Sequence, residues 1–232
     1  MAKKIKKTTT TTITEEIIES NNEKTHIICI LDKSGSMLDI IDDSIGGFNT
    51  LLKQQKELPD DASISVVLFD DQYEPIYENI PIKEAKELTK DIWFPRGTTA
   101  LYDAIGKSIN TAKAQFTKLG DEKPSKVLVC IITDGQENAS REYNIDNIKK
   151  LIKDCEKDDW NFIYLAANQD AFQVGGSFGV SAGNTFSFDA TSTGTKVMYN
   201  AVASSATSYR GMSTSSSDFT EKSKNLVDKK TD

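Results

Sequence analysis

Four continuous apolar segments, separated by stretches with helical periodicity, place the strongest constraint on the fold of this chain. They are HIICIL (26–31), ASISVVLF (62–69), KVLVCIIT (126–133) and WNFIYLAA (160–167). Unbroken apolar runs of this length are typical of strands that are covered on both faces, as in parallel sheets. The segment after the first run carries Ile41, Ile45 and Phe48 at helical spacing. Strands that alternate with helices in this way predict βαβ units.

We therefore predict an α/β fold with a Rossmann-like, doubly wound, mostly parallel central sheet and helices on both faces. Pro75 lies in a further strand-like segment, 72–82, and indicates an edge position because proline cannot donate a ladder hydrogen bond. The pattern also predicts a turn or short helix near 173–179 and a last strand at 184–188. Further helices are predicted at 37–58, 99–119, 144–157 and 195–211.

The domain is predicted to span residues 25–211, because the last helical segment carries an apolar face like the others. Residues 1–24 are rich in Lys and Thr and then acidic, so they are predicted to be a disordered arm or an added edge strand. Residues 212–232 form a polar tail rich in Ser, Thr and Lys, which is predicted to be disordered.

Charge and composition exclude several classes of partner. The formal net charge is −7 with a pI near 4.9, which argues against nucleic acid or an anionic membrane as the main partner. No apolar segment approaches the roughly 18 residues of a membrane span, so we expect a cytoplasmic protein. The three cysteines lack zinc-site spacing, and Cys29 and Cys130 are expected to be unbridged core residues. His26 is the only histidine and is expected to be structural, since it begins a strand.

Oxygen-bearing side chains follow two of the apolar strands and precede one helix. The first strand ends in DKSGS, with Asp32, Ser34 and Ser36, and the 126–133 strand runs into TDG, with Asp134. The segment PRGTTAL brings Thr98 and Thr99 to a helix start. Ligands bind beyond the carboxyl ends of strands in doubly wound sheets, so these groups are expected to lie together. Hydroxyl and carboxylate oxygens suit Mg²⁺, Mn²⁺ or Ca²⁺ rather than zinc or copper.

Each motif also has a simpler interpretation when it is taken alone. A serine pair before a helix can be an N-cap, and so can Thr98 or Thr99. The co-occurrence of all three motifs favours a metal site instead. If the hydroxyls bind the cation directly and the carboxylates act through water, the cation keeps much of its charge. It could then capture an acidic group of a partner protein.

The three motifs resemble the metal-ion-dependent adhesion site of von Willebrand factor A (VWA) domains, with its D-x-S-x-S, G-[GT]-T-x-L-like and T-D-G elements. The resemblance covers about residues 25–211 and implies one antiparallel edge strand in the sheet. It implies direct ligation of a cation, most simply Mg²⁺, by Ser34, Ser36 and Thr99. It also implies water-mediated contacts from Asp32 and Asp134. Thr98 stands where the family often has a second glycine, and the offset of Thr99 from Leu101 favours Thr99 as the ligand.

The resulting hypothesis is a non-enzymatic, divalent-metal-dependent module that binds a protein partner through a carboxylate. Standalone modules of this kind occur in bacteria and their phages, so the resemblance implies a bacterial or phage-infected cytoplasm, or a virion. One alternative is a structural component of a larger assembly such as a phage particle. Another is a metal-dependent phosphoryl-transfer enzyme, because haloacid-dehalogenase-like phosphatases also begin with an aspartate after the first strand. Their second aspartate is replaced here by Ser34.

Overall fold

A computed structural model describes residues 24–167 and 171–211, except for the side chain of Phe172. The predicted arm, apart from Lys24, and the predicted tail lie outside the described residues. The described residues form six strands and five α-helices, which alternate except that the third strand follows the second with no α-helix between them. The strands are β1 Thr25–Asp32, β2 Ala62–Phe69, β3 Tyr73–Pro81, β4 Lys126–Thr133, β5 Trp160–Ala167 and β6 Thr185–Phe188. The helices are α1 Ile41–Lys56, α2 Leu101–Leu119, α3 Ile145–Glu156, α4 Ala171–Ser177 and α5 Ser192–Gly211.

The six strands form one sheet in the order β3-β2-β1-β4-β5-β6. All neighbours are parallel except β3, which pairs with β2 in the antiparallel sense and occupies one edge. The predicted α/β class, the mostly parallel sheet and the antiparallel edge strand are therefore confirmed. Pro75 lies in β3, as an edge position allows.

Helices cover both faces of the sheet because successive side chains of a strand point to opposite sides. Ile27, Cys29 and Leu31 of β1 join a core cluster that includes α1 and α5 residues. Ile28 and Ile30 join a second cluster with α2 and α3 residues. Both layers bury aliphatic side chains almost completely, which explains why the strand segments read as unbroken apolar runs. Cys29 and Cys130 are buried free thiols, as predicted.

Three segments differ in detail from the sequence prediction. Residues Gly35–Asp39 form a 3-10 helix, so α1 begins at Ile41 rather than at 37. The segment near 173–179, which was interpreted as a turn or short helix, contributes α4. Helix α2 begins at Leu101, after both threonines. No helix within the described ranges combines the length and the apolar composition that crossing a membrane requires.

His26 is a buried structural residue at the end of β1 opposite to Asp32. Its Nδ1 lies 2.7 Å from Ser63 Oγ and its Nε2 lies 3.0 Å from Ser65 Oγ, both on β2. Burial lowers the pKa of His26 from 6.5 to about 3, because the charged imidazolium would lose its hydration. His26 therefore remains neutral in the folded protein, as a structural role requires.

Because the unfolded state protonates His26 near pH 6.5 and the folded state only near 3, its contribution to stability is lost as the pH falls through this window. As the pH falls from about 7 to about 5, we expect protonation of His26 in the unfolded state to lower the free energy of unfolding by about 2 kcal/mol. Urea unfolding of the wild type and of His26→Gln at both pH values checks this. The difference between the two proteins isolates His26, because other titrating groups cancel. Parallel pH profiles would contradict it.

Candidate metal centre

The candidate site lies at the carboxyl edge of the sheet, where β1 and β4 are adjacent. Strand β1 is flanked by β2 on one side and by β4 on the other, so the strand order reverses here. Asp32 is the last residue of β1, and Asp134 follows the last residue of β4. Side chains from the ends of adjacent parallel strands meet at this edge, which is where doubly wound sheets bind ligands.

Three hydroxyl groups converge on one small space above Gly135. A Cβ atom placed on this glycine would lie 2.7 Å from Thr99 Oγ1 and 3.3 Å from the Oγ atoms of Ser34 and Ser36. The two serine Oγ atoms are 3.1 Å apart, and Ser36 donates a 2.6 Å hydrogen bond to Asp134 Oδ1. The structure therefore brings four of the five predicted residues into one cluster. Any side chain at position 135 would enter this space.

Asp32 completes the cluster from below. It is fully buried, and its Oδ1 accepts a 2.6 Å hydrogen bond from the Ser34 N–H. Its Oδ2 accepts a 2.5 Å hydrogen bond from Thr133 Oγ1, whose oxygen also accepts from the Gly135 N–H at 3.1 Å. Asp32 thus fixes the loop that carries the two serines, while Thr133 links it to the glycine on which the hydroxyls converge.

Of the two candidate threonines, Thr99 is the one that joins the cluster. Its side chain is buried, with 3% of its surface exposed, whereas Thr98 is exposed. Neither threonine caps a helix, because the N-cap of α2 is Ala100, which makes no side-chain capping bond. Ser34 precedes the 3-10 helix, also without a side-chain capping bond. The simpler capping interpretation of these hydroxyls therefore fails.

The two carboxylates of the site lack a basic partner. In residues 24–167 and 171–211, no lysine or arginine forms an ion pair with Asp32 or Asp134. The pKa of Asp32 is raised from 3.8 to about 6, because burial, together with the nearby charge of Asp134, outweighs the hydrogen bonds from Thr133 and Ser34. Burial also raises the pKa of Asp134 above its usual value. Negative charge is therefore costly here in the absence of a cation.

The basic residue inside the DKSGS motif points away from these carboxylates. Lys33 is fully buried, and its Nζ pairs with Glu74 and lies 3.7 Å from Asp70 Oδ2. Arg96 Nε donates to the same Asp70 oxygen at 2.8 Å, and the Arg96 N–H donates to the Lys33 carbonyl, also at 2.8 Å. This charged cluster joins the end of β2 to the serine loop and to the loop that carries Thr99. The sequence analysis missed it, because its ion pairs join residues that lie 22 to 41 positions apart.

The aromatic pair before the threonine loop is divided between the core and the surface. Trp93 is fully buried, and its Nε1 donates a 3.0 Å hydrogen bond to the Asp32 carbonyl. The Phe94 ring is 43% exposed, with its centroid 5.4 Å from Lys33 Nζ and 5.2 Å from Arg96 Cζ. Trp93 therefore supports the serine loop from inside, and Phe94 covers the charged cluster.

The loop after Asp134 was also missed as part of the site. Glu137 accepts hydrogen bonds from the N–H groups of Tyr102 and Ser140, at 3.0 and 2.8 Å. Asp103, on α2, accepts in return from the N–H groups of Arg141, Glu142 and Tyr143 at 2.8 to 2.9 Å. These reciprocal bonds hold the 134–144 loop against the start of α2. The acidic and amide residues just after TDG were the only available signal in the sequence.

The donor set suits a hard divalent cation. Three uncharged hydroxyl oxygens converge on the space, Asp134 is hydrogen-bonded to one of them, and Asp32 holds the loop that carries two of them. Mg²⁺ and its relatives prefer oxygen ligands. Across the described part of the chain, no group of three or more His, Cys, Asp or Glu side chains is arranged to hold a metal. A thiolate or imidazole site, which zinc or copper would favour, is therefore absent from those residues. The cluster can hold a cation with oxygen ligands, and Asp32 and Asp134 supply the opposing charge.

Removing one member of the buried charged cluster should destabilise the fold. Asp70→Asn removes the charge that lies opposite Lys33 and Arg96 while keeping nearly the same shape. We expect the free energy of unfolding in urea to fall by about 3 kcal/mol, because a buried lysine loses part of its compensation. Asp42→Asn, which breaks an exposed pair with Lys90, is the matched control and should change stability by less than about 1 kcal/mol. Equal effects of the two substitutions would contradict this account.

Comparisons with known proteins give no match by sequence and many by structure. No protein-family model matches the chain, and no curated protein sequence matches it significantly. Proximal thread matrix protein 1 of the mussel byssus, in a structure described as having a zinc-occupied MIDAS motif, matches with a TM-score of 0.56. It is 14% identical, over 78% of this chain and 47% of its own.

Two bacterial structures match at a similar level. The PilB minor pilin of Streptococcus sanguinis has a TM-score of 0.53 and 10% identity, over 79% of this chain and 61% of its own. A von Willebrand factor type A protein of Catenulispora acidiphila has a TM-score of 0.55 and 12% identity, over 79% of this chain and 42% of its own. The chain spans about half the length of these neighbours. It has the fold of a von Willebrand factor A domain.

Proposed function

We propose that this protein is a non-enzymatic module that binds a protein partner through a divalent cation, most simply Mg²⁺. One observation supports the proposal above all others: the hydroxyls of Ser34, Ser36 and Thr99 converge on the space above Gly135. Asp134 is hydrogen-bonded to Ser36 and Asp32 to the Ser34 main chain, and neither carboxylate forms an ion pair with a lysine or arginine of the described residues. In this proposal Ser34, Ser36 and Thr99 ligate the cation directly, and Asp32 and Asp134 act through water. The fold resemblance to a neighbour whose MIDAS motif is described as zinc-occupied supports a divalent cation, though not its identity or its ligands.

A carboxylate of the partner is the group that fits such a site best. The proposed direct ligands are uncharged, so they do not neutralise the cation at close range. Mg²⁺ commonly keeps several waters, and a carboxylate oxygen can replace one of them. Asp32 has both oxygens engaged by hydrogen bonds from Ser34 and Thr133, so its charge is already partly compensated. The cation therefore attracts an acidic group more strongly than a neutral one.

The same hydrogen bonds argue against phosphoryl transfer. A nucleophilic aspartate needs a carboxylate oxygen that can reach the phosphorus atom, but Asp32 is fully buried and hydrogen-bonded at both oxygens. The position where the phosphatases have their second aspartate, the general acid, holds Ser34. The alternative of a structural component in a larger assembly relies on docking by residues 1–24 and 212–232. No observation on the described residues favours it. A cytoplasmic or virion location stays part of the proposal.

Mg²⁺ should stabilise the folded protein, because it binds the native site and not the unfolded chain. At a concentration a hundred times Kd the stabilisation is about 2.7 kcal/mol, or roughly 5 to 10 °C in Tm for a domain of this size. Gly135→Ala should abolish this shift, because its Cβ would lie 2.7 Å from Thr99 Oγ1.

Gly46→Ala is the matched control for this measurement, because a Cβ at that position meets nothing within 4 Å. Its Tm should rise with Mg²⁺ as in the wild type. Differential scanning calorimetry in Mg²⁺ and in EDTA at equal ionic strength checks both variants. Identical wild-type melting curves in the two buffers would contradict the metal site.

Partner binding should depend both on the cation and on an acidic residue of the partner. A displayed library of random peptides, selected on the immobilised protein in Mg²⁺, should yield binders that contain Asp or Glu and that EDTA releases. Ser34→Ala removes one proposed ligand and little volume, so it should yield no such enrichment. Binders that lack acidic residues, or that Ser34→Ala also retains, would show that the protein recognises partners elsewhere.

A further inference from the structure

Asn138 binds both main-chain polar groups of Thr99. Its side-chain Oδ1 accepts a 2.9 Å hydrogen bond from the Thr99 N–H, and its own N–H donates a 3.0 Å hydrogen bond to the Thr99 carbonyl. The Ala139 N–H donates to the same carbonyl at 3.2 Å. The main chain of Thr99 is thus fixed from both sides by residues that lie 39 and 40 positions later in the chain.

Thr99 depends on this contact because the start of α2 offers no replacement. The N-cap, Ala100, has no side chain that can accept a hydrogen bond. The N–H groups around the helix start are instead taken by acceptors from other parts of the chain: Asn138 Oδ1 for Thr99, the Asp70 carbonyl for Ala100, Glu137 Oε2 for Tyr102 and Ser140 Oγ for Asp103. Since Thr99 is 97% buried, water is poorly placed to take over the role of Asn138.

The position of Asn138 in the chain explains why its contact with Thr99 matters for the site. Asn138 follows Asp134 by four residues, in the same loop, so its bonds to Thr99 hold two proposed ligands in one fixed relation. Its Oδ1 accepts from the Thr99 N–H, and it is this bond to the Thr99 main chain, rather than ligation of the cation, that we assign to Asn138. The Thr99 hydroxyl can meet the two serine hydroxyls only if its main chain stays in this orientation.

We propose that Asn138 is a positioning residue of this site, and that its two hydrogen bonds to the Thr99 main chain set the affinity for the divalent cation. This inference rests on the proposed function. Removing a residue that orients a metal ligand typically weakens metal binding 10- to 100-fold. Asn138→Leu keeps the approximate size of the side chain but lacks the acceptor, so we expect a loss of that order in Mg²⁺ affinity.

Two further variants separate positioning from general destabilisation. Asn138→Asp keeps an acceptor oxygen and should bind Mg²⁺ at least as tightly as the wild type. Asn147→Leu makes the same change of side chain and removes an exposed hydrogen bond, the 3.1 Å contact with the Asn144 N–H in the α3 capping box. It should keep wild-type Mg²⁺ affinity, whatever stability it loses. If Asn138→Leu does not fold, Asn138→Ala makes the same comparison.

Two measurements test the inference. Amide hydrogen exchange in EDTA reports the hydrogen bond between the Thr99 N–H and Asn138 in the absence of metal. The Thr99 N–H should exchange at least tenfold faster in Asn138→Leu than in the wild type or Asn138→Asp. Isothermal titration with MgCl₂ then gives the affinity of each variant.

Wild-type Mg²⁺ affinity in Asn138→Leu would overturn the inference and leave the proposed function intact. Equal losses of affinity in Asn138→Leu and Asn147→Leu would also overturn it. Absence of Mg²⁺ binding by the wild type would overturn the proposed function together with the inference.

Discussion

The hydrogen bond between Thr133 Oγ1 and Asp32 Oδ2 joins the ends of the two central strands, and the geometry of the site depends on it. Parallel pairing of β1 with β4 brings these residues together at the point where the strand order reverses. Asp32 then fixes the serine loop through the Ser34 N–H, and Thr133 fixes the glycine loop through the Gly135 N–H. One buried bond therefore sets how the serine hydroxyls face the loop that carries Asp134 and Gly135.

Ion pairs and hydrogen bonds hold the loops of the site on the sides that face away from the hydroxyl cluster. On one side the cluster of Lys33, Asp70 and Arg96 locks the serine loop to the end of β2. On the other side the 134–144 loop and the start of α2 bind each other through Glu137 and Asp103. The basic groups that the described residues place near the site pair with this supporting shell, and none of them forms an ion pair with Asp32 or Asp134. In the proposed function, a bound cation supplies that positive charge.

Much of the fold could be predicted because its signals are local. The strands β2, β4 and β5 have the predicted bounds, since an unbroken apolar run records burial on both faces. The five candidate residues could be chosen together because strand ends carry short motifs, and their role as metal ligands stays a prediction. The offset from Leu101 favoured Thr99 over Thr98, and the structure adds that Thr99 is buried whereas Thr98 is exposed.

The supporting contacts could not be predicted, because each joins residues far apart in the chain. Lys33 looks like an ordinary surface residue within DKSGS, and its burial follows only when Asp70 and Glu74 arrive from 37 and 41 positions away. Asn138 looks like a loop residue, and its contact with Thr99 follows from how the 134–144 loop folds back on α2.

In the proposed function, the division between uncharged ligands and more remote charge would let one site hold a cation and still attract a partner. Carboxylates that ligated the cation directly would neutralise it and weaken the attraction for a further carboxylate, because electrostatic interactions fall with distance. The serine and threonine hydroxyls converge above Gly135, and the Asp32 carboxylate accepts hydrogen bonds from the Ser34 N–H and the Thr133 hydroxyl. If these hydroxyls are the direct ligands, affinity for the cation comes from the negative charge of the two aspartates behind them. Affinity for the partner then comes from the positive charge that those hydroxyls leave unneutralised.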